Sequence, residues 1–446
     1  MKDGEGNTIY MLGIGGIGMS ALARYYQSQG LTVAGYDRTP SPLTQQLEDE
    51  GMAIHYEDNP NLLPALIDWV IYTPAVPNDL KEFEVLRQRG LPILKRAEAL
   101  GRITEGHFTI AVAGTHGKTT TTAMVAYILN HCGTSTTAFI GGIANNFDSN
   151  LLLSKEKDFI IVVEADEFDH SFLQLHPDLS IINSIDADHL DIYGDRQHLV
   201  QSFNEFACLT ERNVIVKEGL EIEIWNKISF GFGNSCDYQI IPIGSHRGIT
   251  KFTIHGEGRD TIVTLPMAGR HNMLNATAAF VAARKVGIAS EDIATALESF
   301  KGVKRRFDIR VKNEKHCYID DYAHHPEEIR ACLTAVKSAF PEKHITLVFQ
   351  PHLFSRTRDF MEGFASVLAL ADELILLDIY PARETPIEGI TSQALLDKVQ
   401  LTDKRVCQKQ DLINLIDNEK PELLITMGAG DIDRFVEPLE NMIKTW

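Results

Sequence analysis

Short apolar runs alternate with longer amphipathic stretches along this chain, in three successive blocks. Apolar runs of this kind predict buried β-strands, whereas a spacing of three to four residues between apolar positions predicts helices. The predicted strands are 8–12, 33–36, 69–72, 108–113, 159–163, 180–185, 317–319, 345–349, 374–377 and 424–427. Helices are predicted after two glycine-rich loops, at 19–29 and 123–130, and again at 273–286.

Short apolar strands separated by helices favour parallel sheets that are covered on both faces. The sequence therefore predicts an α/β protein of three domains, each built on a mostly parallel sheet. The expected domains are a Rossmann-like one over 1–105, a P-loop-type ATPase domain over 106–303 and a second Rossmann-like one over 304–446. At about 150 residues per domain, the length of 446 residues also suggests three.

The charge and the cysteines narrow the class of protein. With 42 basic and 61 acidic residues, the net charge of −19 disfavours a general nucleic-acid binder or a protein held on anionic membranes. No apolar run approaches the roughly 20 residues of a membrane helix, and residues 1–7 do not resemble a signal peptide. Six cysteines without a C-x-x-C pair fit a reducing cytoplasm. We expect a cytoplasmic monomer or homodimer without nucleic-acid or membrane partners.

The first glycine-rich loop, Gly13 to Gly18, fits G-x-G-x-x-G between a predicted strand and a predicted helix. Glycines there let the backbone approach a pyrophosphate at the helix N-terminus, and Asp37, after the next strand, would bind a ribose. The predicted contacts are Gly15, Gly16, Ile17, Gly18 and Asp37. The motif alone does not distinguish NAD from a UDP-sugar, and a tight turn without a ligand is the alternative.

The second glycine-rich loop, 114–121, is more specific because it contains Gly-Lys-Thr between a strand and a helix. It is a shortened Walker A loop, with Val112 where that pattern has glycine. Lys118 can reach the β- and γ-phosphates of ATP, and the Thr119 hydroxyl can ligate Mg²⁺. The predicted ATP contacts are Gly114, Thr115, His116, Gly117, Lys118, Thr119 and Thr120. Two different phosphate loops argue against a simple ATPase.

Acidic residues follow two strands of the second block. Glu164 directly follows the strand 159–163 and is the first candidate for Mg²⁺, which prefers oxygen ligands; a solvated acidic loop is the alternative. His189, in the acidic segment 186–191, is either a metal ligand or a structural histidine.

Polar residues also mark the third block and its boundary. Asn272 and Asn275 share a helix face and would either read an adenine edge or cap the helix. Arg306 belongs to a basic cluster that either reaches a phosphate or is simply solvated. Polar clusters follow four strands, and His325 and Arg356 are the candidates for holding a carboxylate or phosphate.

Taken in order, these motifs resemble the Mur ligase family, the ATP-dependent amide ligases of cell-wall precursor synthesis. The matching segments span essentially the whole chain. They are 13–21 (GIGGIGMSA), 114–121 (GTHGKTTT), 164–167 (EADE), 186–191 (DADHLD), 271–275 (HNMLN), 304–307 (KRRF), 321–326 (DYAHHP) and 350–358.

The resemblance implies one ligand role for each domain: the UDP part of the substrate, ATP, and the incoming amino acid with part of the nucleotide. It implies UDP-N-acetylmuramate and L-alanine as substrates and Mg²⁺ as cofactor. Lys118 and Thr119 would then hold phosphate and Mg²⁺, with Glu164 and His189 as metal ligands. Adenine would meet Asn272 and Asn275 beside His271, and the nucleotide would meet Arg306 and Asp321. The reacting groups would be placed by His325 and Arg356 together with Lys118.

Two features depart from the family pattern, and three rival functions stay open. Residues 210–265 look short for the central domain, and Leu353 stands where some relatives have arginine. The nearest rival is a ligase that recycles a preformed tripeptide onto the same UDP-sugar. A nicotinamide-dependent oxidoreductase would leave the second loop unexplained, and a regulatory nucleotide-binding module would leave the polar strand ends of the third block unexplained.

Overall fold

The structure, a computed structural model, describes residues 8–77, 79–186, 195–246, 248–382 and 384–446. Its contacts divide the chain into two compact units. The first contains Met1–Ile240, Ile254–Thr261 and Leu274–Leu297, and the second contains Ile241–Thr253, Ile262–Met273 and Glu298–Trp446.

The N-terminal sheet has five parallel strands in the order β3-β2-β1-β4-β5. The strands are β1 (Thr8–Leu12), β2 (Thr32–Tyr36), β3 (Ala53–His55), β4 (Trp69–Tyr72) and β5 (Ile93–Lys95). The helices are α1 (Ile17–Ser28), α2 (Pro42–Asp49), α3 (Lys81–Gln88) and α4 (Arg96–Thr104). Successive residues of β1 point to opposite faces, so Ile9 packs with α1 and α4 and Tyr10 packs with α3. Both faces of this sheet are therefore covered.

The central sheet has ten strands in the order β15-β14-β13-β12-β11-β10-β6-β9-β7-β8. The strands are β6 (Thr109–Ala113), β7 (Thr136–Ala144), β8 (Ser149–Leu152), β9 (Ile160–Glu164), β10 (Leu179–Ile182), β11 (Asn213–Lys217), β12 (Lys227–Gly231), β13 (Tyr238–His246), β14 (Ile249–Gly256) and β15 (Arg259–Leu265). The helices are α5 (Lys118–His131), α6 (Arg196–Cys208), α7 (Arg270–Lys285) and α8 (Ser290–Glu298), with a 3-10 helix at Phe168–Gln174. Because β6 lies between β9 and β10, the second glycine-rich loop emerges between the ends of two other parallel strands.

The C-terminal sheet has six strands in the order β16-β17-β21-β18-β19-β20. The strands are β16 (Asp308–Lys312), β17 (Cys317–Asp321), β18 (Ile345–Phe349), β19 (Glu373–Leu376), β20 (Lys404–Val406) and β21 (Leu423–Met427). The helices are α9 (Pro326–Ala339), α10 (Phe354–Asp359), α11 (Met361–Leu368), α12 (Ser392–Lys398), α13 (Leu412–Glu419) and α14 (Val436–Ile443). Apolar residues of α9, α11 and α12 cover one face, and those of α13 and α14 cover the other.

The three mostly parallel sheets confirm the predicted fold class, and every predicted strand is present to within three residues. The predicted helix start at 123 was wrong, because α5 begins at Lys118 directly after the left-handed Gly117. The threonines that precede Ala123 are poor helix formers, but their burial against the sheet outweighs that preference. The antiparallel β8 and β16, and strands β12 to β15, escaped the prediction.

Among the described residues, no helix combines the length and the apolar character that crossing a membrane would need. All six cysteines are free thiols.

Candidate functional site

The second glycine-rich loop connects the buried strand β6 to α5 and depends on two left-handed glycines. Gly114 has φ of 135° and Gly117 has φ of 81°, a region that favours glycine over residues with a side chain. A Cβ on Gly114 would lie 2.9 Å from the backbone nitrogen of Ser184, so the loop also lies tightly against the end of β10. The backbone N–H groups at the start of α5 are thereby presented at the carboxyl edge of the central sheet.

Lys118, the first residue of α5, folds back onto its own loop. Its ammonium donates to the Gly114 carbonyl at 2.7 Å and to both carboxylate oxygens of Glu167 at 2.8 and 2.9 Å. Burial by itself would lower the pKa of Lys118, but Glu167, Asp166 and Glu164 outweigh it and raise that pKa. Lys118 therefore stays cationic at neutral pH, with the fully buried Glu167 as its counter-ion.

Thr119 and Glu164 form the oxygen-rich part of the site. The Thr119 hydroxyl donates to Glu164 Oε1 at 3.0 Å, and the Gly141 N–H donates to Oε2 at 2.9 Å. A Cβ on Gly141 would lie 2.3 Å from that carboxylate, so glycine is required for the approach. The described residues contain no group of three His, Cys, Asp or Glu side chains able to hold a metal on their own. Hydroxyl and carboxylate oxygens nevertheless suit a Mg²⁺ ion that takes its other ligands from phosphate and water.

The residues that follow β10 form hydrogen bonds with the second glycine-rich loop and the start of α5. Ser184 Oγ accepts from the His116 N–H at 2.8 Å and shares a hydrogen bond with the Thr115 hydroxyl at 2.9 Å. The Asp186 carboxylate lies 3.6 Å from His116 Nε2, and the Asp186 N–H donates to the Thr115 hydroxyl at 3.1 Å. Asn183 donates to Thr121 at 2.9 Å, one turn into α5. Thr115 and His116 thus fix the shape of the loop through their side chains.

The first glycine-rich loop is held by Asp37. The Asp37 carboxylate accepts from the Gly15 N–H at 2.8 Å, so in this structure it is directed at the loop itself. A Cβ on Gly15 would lie 2.9 Å from that carboxylate and 2.4 Å from the Thr44 methyl. Gly16 caps α1 without a side-chain hydrogen bond, and Ile17 is half exposed at the start of the helix.

A cavity of about 260 Å³ lies at the first glycine-rich loop, within the first unit. On the N-terminal side it is lined by the start of α1 (Gly16 to Met19) and by Arg96, and on the central side by 139–141, Glu164 and Asp166. Arg96 donates to Asp166 at 3.1 Å across this cavity. A ligand on the first loop would therefore extend toward the carboxylate that binds Thr119.

In the C-terminal sheet, Asp321 ends β17 and is buried. It accepts from the N–H groups of Phe307 at 2.7 Å and Ala323 at 2.8 Å. Burial raises the pKa of Asp321 to about 6, although these two donors and Arg306 act in the opposite direction. The Arg306 guanidinium lies 4.8 Å above the Tyr322 ring, beside that carboxylate. Asp321 thus anchors the segment that presents Arg306.

The two adjacent histidines after β17 differ in environment. His325 caps α9 by accepting from the Glu327 N–H, and its ring packs against Phe360 at 4.6 Å. The His324 ring lies 6.0 Å from His352, whose Nδ1 is 3.4 Å from a guanidinium nitrogen of Arg356. Burial lowers the pKa of His324, and it lowers that of His352 to about 4. The histidine in contact with Arg356 is therefore His352, with His324 packed against it, and His325 begins the helix.

The candidate residues of helix α7, His271, Asn272 and Asn275, lie in different surroundings. Asn272 donates to the Ala268 carbonyl at 2.7 Å, and burial lowers the pKa of His271 to about 4. Asn275 faces the second loop, where a Cβ on Gly117 would lie 2.5 Å from its Oδ1. Asn275 thus lies at the phosphate loop itself.

The structure brings Gly114 to Thr120, Glu164 and Asn275 together at one edge of the central sheet, whereas the first loop lies across the cavity. His189 lies outside the described residues. Sequence reasoning missed Glu167, Ser184, Arg96 and His324 as site residues. Glu167, Ser184 and His324 follow strands of the sheets, which was a usable signal, but nothing in the sequence around Arg96 indicated its position.

Comparison with protein-family models gives three consecutive matches along the chain. Residues 8–108 match the Mur ligase family catalytic domain, 112–283 the Mur ligase middle domain and 305–430 the Mur ligase glutamate ligase domain. Together these segments cover most of the chain.

Curated relatives and solved structures agree with these matches. The chain is 46 % identical to the UDP-N-acetylmuramate–L-alanine ligase of Cytophaga hutchinsonii, covering 98 % of this chain and 97 % of the relative. The corresponding ligase of Christiangramia forsetii is 48 % identical, with 97 % of each chain covered. The crystal structure of UDP-N-acetylmuramate-alanine ligase from Thermotoga maritima matches with a TM-score of 0.86 at 30 % identity, over 98 % and 99 % of the two chains. A murein peptide ligase from Psychrobacter arcticus matches with a TM-score of 0.73 at 25 % identity, covering 99 % of each.

Proposed function

Because this chain belongs to the Mur ligase family of ATP-dependent amide-forming ligases, we propose that it joins L-alanine to the carboxylate of UDP-N-acetylmuramate in peptidoglycan precursor synthesis. The observation that carries the proposal is the cavity that runs from the first glycine-rich loop to Glu164, whose carboxylate accepts from the Thr119 hydroxyl of the second loop. A UDP-sugar acid on the first loop would extend through that cavity toward Glu164 and Thr119, where the phosphates of ATP would lie.

The proposal assigns one ligand role to each segment of the chain. Residues 1–105 would bind the UDP-sugar through Gly15 to Gly18, and 106–303 would bind ATP through Gly114 to Thr120. In 304–446, Arg306 and Asp321 stay predicted contacts of the nucleotide, and His325 and Arg356 stay predicted contacts of the reacting groups. His352 contacts Arg356 and His324 packs against His352, so both histidines are further candidates there.

In the first step, the γ-phosphate of ATP passes to the substrate carboxylate and gives an acyl phosphate and ADP. This transfer gathers negative charge on the phosphoryl oxygens, and Lys118, kept cationic by its acidic neighbours, would stabilise it electrostatically. The backbone N–H groups of the loop would hold the phosphates in place for in-line transfer.

In the second step, the amine of L-alanine attacks the acyl carbon, and phosphate leaves the tetrahedral intermediate as the amide forms. The amine must be neutral to attack, so the ammonium first loses a proton to water, and the tetrahedral intermediate then loses a second proton to the departing phosphate or to water. Arg356 would pair with the amino-acid carboxylate, since guanidinium binds carboxylates bidentately. Burial lowers the pKa of His352, which contacts Arg356, to about 4, so its imidazole is neutral at neutral pH and Arg356 supplies the positive charge.

Bound Mg²⁺ would neutralise phosphate charge. Thr119 and Glu164 would hold it, since their oxygens are the donors that this ion prefers, and His189 stays a predicted further ligand. A cytoplasmic location stays a prediction and is compatible with the six free thiols.

The recycling ligase is the rival that shares this site. The identity of 46 to 48 % to L-alanine ligases, against 25 % to the murein peptide ligase, supports L-alanine as the acceptor. The oxidoreductase alternative gives no role to Lys118 and its buried counter-ion.

The direct test measures ADP release from the purified full-length protein with ATP and UDP-N-acetylmuramate. We expect release with L-alanine to exceed release with glycine, L-serine or a preformed tripeptide. A tripeptide-driven release without an L-alanine response would support the recycling ligase instead. Oxidation of NADH without ATP would support the oxidoreductase.

Replacement of Lys118 tests the phosphate-loop assignment. Lys118→Ala should lower kcat for ADP release at least about 100-fold, because one preorganised cationic donor to the developing charge is lost. Since this variant also leaves Glu167 buried without its counter-ion, the double variant Lys118→Met/Glu167→Gln serves as the folding control. Near-normal turnover in either variant would refute the assignment.

A further inference from the structure

The cavity at the first glycine-rich loop contains one cationic side chain among the described residues that line it. That side chain is Arg96, and the acidic groups lining the same cavity are Glu164 and Asp166. A UDP-sugar acid carries negative charge on its diphosphate and on its carboxylate, so it requires compensating positive charge where it binds.

The fold places Arg96 firmly. It is the first residue of α4, and Glu98 secures the start of that helix by accepting from the Lys95 N–H at 2.7 Å. The Arg96 side chain then crosses Gly18, where a Cβ would lie 2.9 Å from guanidinium Nη1 and 3.2 Å from Cδ. The last glycine of the first loop therefore has a specific function here: it lets the arginine reach the cavity.

The present partner of Arg96 is exchangeable. The pair with Asp166 at 3.1 Å leaves 23 % of the arginine side chain and 37 % of the aspartate side chain exposed. Ion pairs that are partly exposed to solvent contribute little to stability, so an incoming phosphate or carboxylate can replace Asp166 at small cost.

We infer that Arg96 is a substrate-binding residue whose guanidinium takes an anionic oxygen of the UDP-sugar acid in this cavity, in place of Asp166. This inference rests on the proposed function, because it takes UDP-N-acetylmuramate as the ligand. It adds to the site a residue that lies 78 positions after Gly18 in the chain.

Two substitutions break the same ion pair but have opposite expected effects. Arg96→Ala removes the cation and should raise the KM for UDP-N-acetylmuramate at least about tenfold, as expected for one charge-assisted hydrogen bond, with the KM for ATP unchanged. Asp166→Asn frees the arginine and should lower the KM for UDP-N-acetylmuramate. If Arg96 served only to hold Asp166, both variants would raise the KM for UDP-N-acetylmuramate to the same extent.

Lys95→Ala is the matched control. Lys95 precedes Arg96 and pairs with Asp169 at 2.9 Å, and both of these side chains are more than 40 % exposed and lie outside the cavity lining. The KM for UDP-N-acetylmuramate should be unchanged in this variant. Arg96→Lys, which keeps the charge, should recover part of the affinity that Arg96→Ala loses.

Calorimetric titration of the full-length wild type and variants with UDP, UDP-N-acetylglucosamine and UDP-N-acetylmuramate identifies the oxygen involved. Equal weakening of all three by Arg96→Ala assigns the diphosphate, and weakening of the acid alone assigns the carboxylate. A wild type that ligates normally while Arg96→Ala binds all three unchanged overturns this inference alone. A wild type that does not bind UDP-N-acetylmuramate overturns the inference together with the proposed function.

Discussion

At the scale of single residues, the site is organised by buried charges that compensate one another. Lys118 has the fully buried Glu167 as its counter-ion, and Glu164 is held by Thr119 and Gly141. A phosphate that binds Lys118 has to compete with Glu167 or share the ammonium with it. The ligand-free state therefore keeps the lysine in place at the loop and keeps it charged.

Glu167→Gln tests this compensation. The variant keeps an acceptor of the same shape but leaves Lys118 buried without its main counter-ion, so the ligand-free protein should lose about 3 kcal/mol of stability. Because the phosphates of ATP would restore the missing negative charge, ATP should raise the thermal midpoint of the variant more than that of the wild type. Thermal unfolding with and without Mg-ATP measures both shifts.

Asp169→Asn is the control for Glu167→Gln, since it removes an exposed carboxylate that pairs with Lys95. Its stability should change by less than about 1 kcal/mol, with an ATP response like that of the wild type. An equal ATP-induced shift in Glu167→Gln and wild type would contradict the compensation argument.

Asp321 predicts a pH dependence of stability. Its folded pKa of about 6 lies above the ordinary 3.8, mainly through burial, so the folded state binds the proton more tightly than the unfolded chain. Its contribution is therefore fully present below about pH 4 and is lost as the pH rises through 6, by at most about 3 kcal/mol.

Replacing this carboxyl should remove that pH dependence. As the pH rises from about 4 to 7, the free energy of unfolding of Asp321→Asn, measured with urea, should increase relative to that of the wild type. The altered hydrogen bonds of the variant add only a constant offset to this difference. Parallel pH profiles of wild type and variant would show that Asp321 titrates alike in both states.

At the scale of elements, glycines mark the places where two segments approach too closely for a side chain. Gly18 leaves room for the Arg96 side chain. Gly101 in α4 faces the 3-10 helix Phe168–Gln174. A Cβ on Gly101 would lie 2.2 Å from the Gln174 carbonyl oxygen and 3.1 Å from its carbonyl carbon. This contact joins the helix that carries Arg96 to the segment that follows Glu167.

Gly101→Ala should destabilise the protein by about 1–3 kcal/mol, because a backbone carbonyl cannot move aside as a flexible side chain can. Urea unfolding measures the loss. Gly244→Ala is the control: no atom lies within 4 Å of its Cβ position and its φ is not in the left-handed region, so it should be neutral or slightly stabilising. Equal stability of the two variants would show that α4 shifts freely.

At the scale of the whole molecule, the net charge of −19 says little about the ligands. The proposed substrates are anions, and their binding would depend on single cations placed at single points, such as Lys118 and Arg96. A charge sum counts residues wherever they lie, whereas binding depends on the few groups within reach of the ligand.

Much of the fold followed from the sequence because apolar periodicity and glycine-rich turns are local signals. Strand β1 was predicted with its actual ends, and β6 was predicted to within one residue. The antiparallel β8 was not predicted, because pairing with β7 rather than its own pattern makes that segment a strand. The start of α5 was misplaced because burial outweighs the low helix propensity of its threonines.

The sequence by itself determined the three sheets, the two phosphate loops and the family, since each is carried by residues adjacent in the chain. Only the tertiary structure decided which distant side chains meet these loops. Glu167 reaches Lys118 across 49 positions, Arg96 reaches Asp166 across 70, and His324 packs against His352, which contacts Arg356. Such pairings depend on the order of strands and on the direction in which a helix starts, which local patterns do not encode.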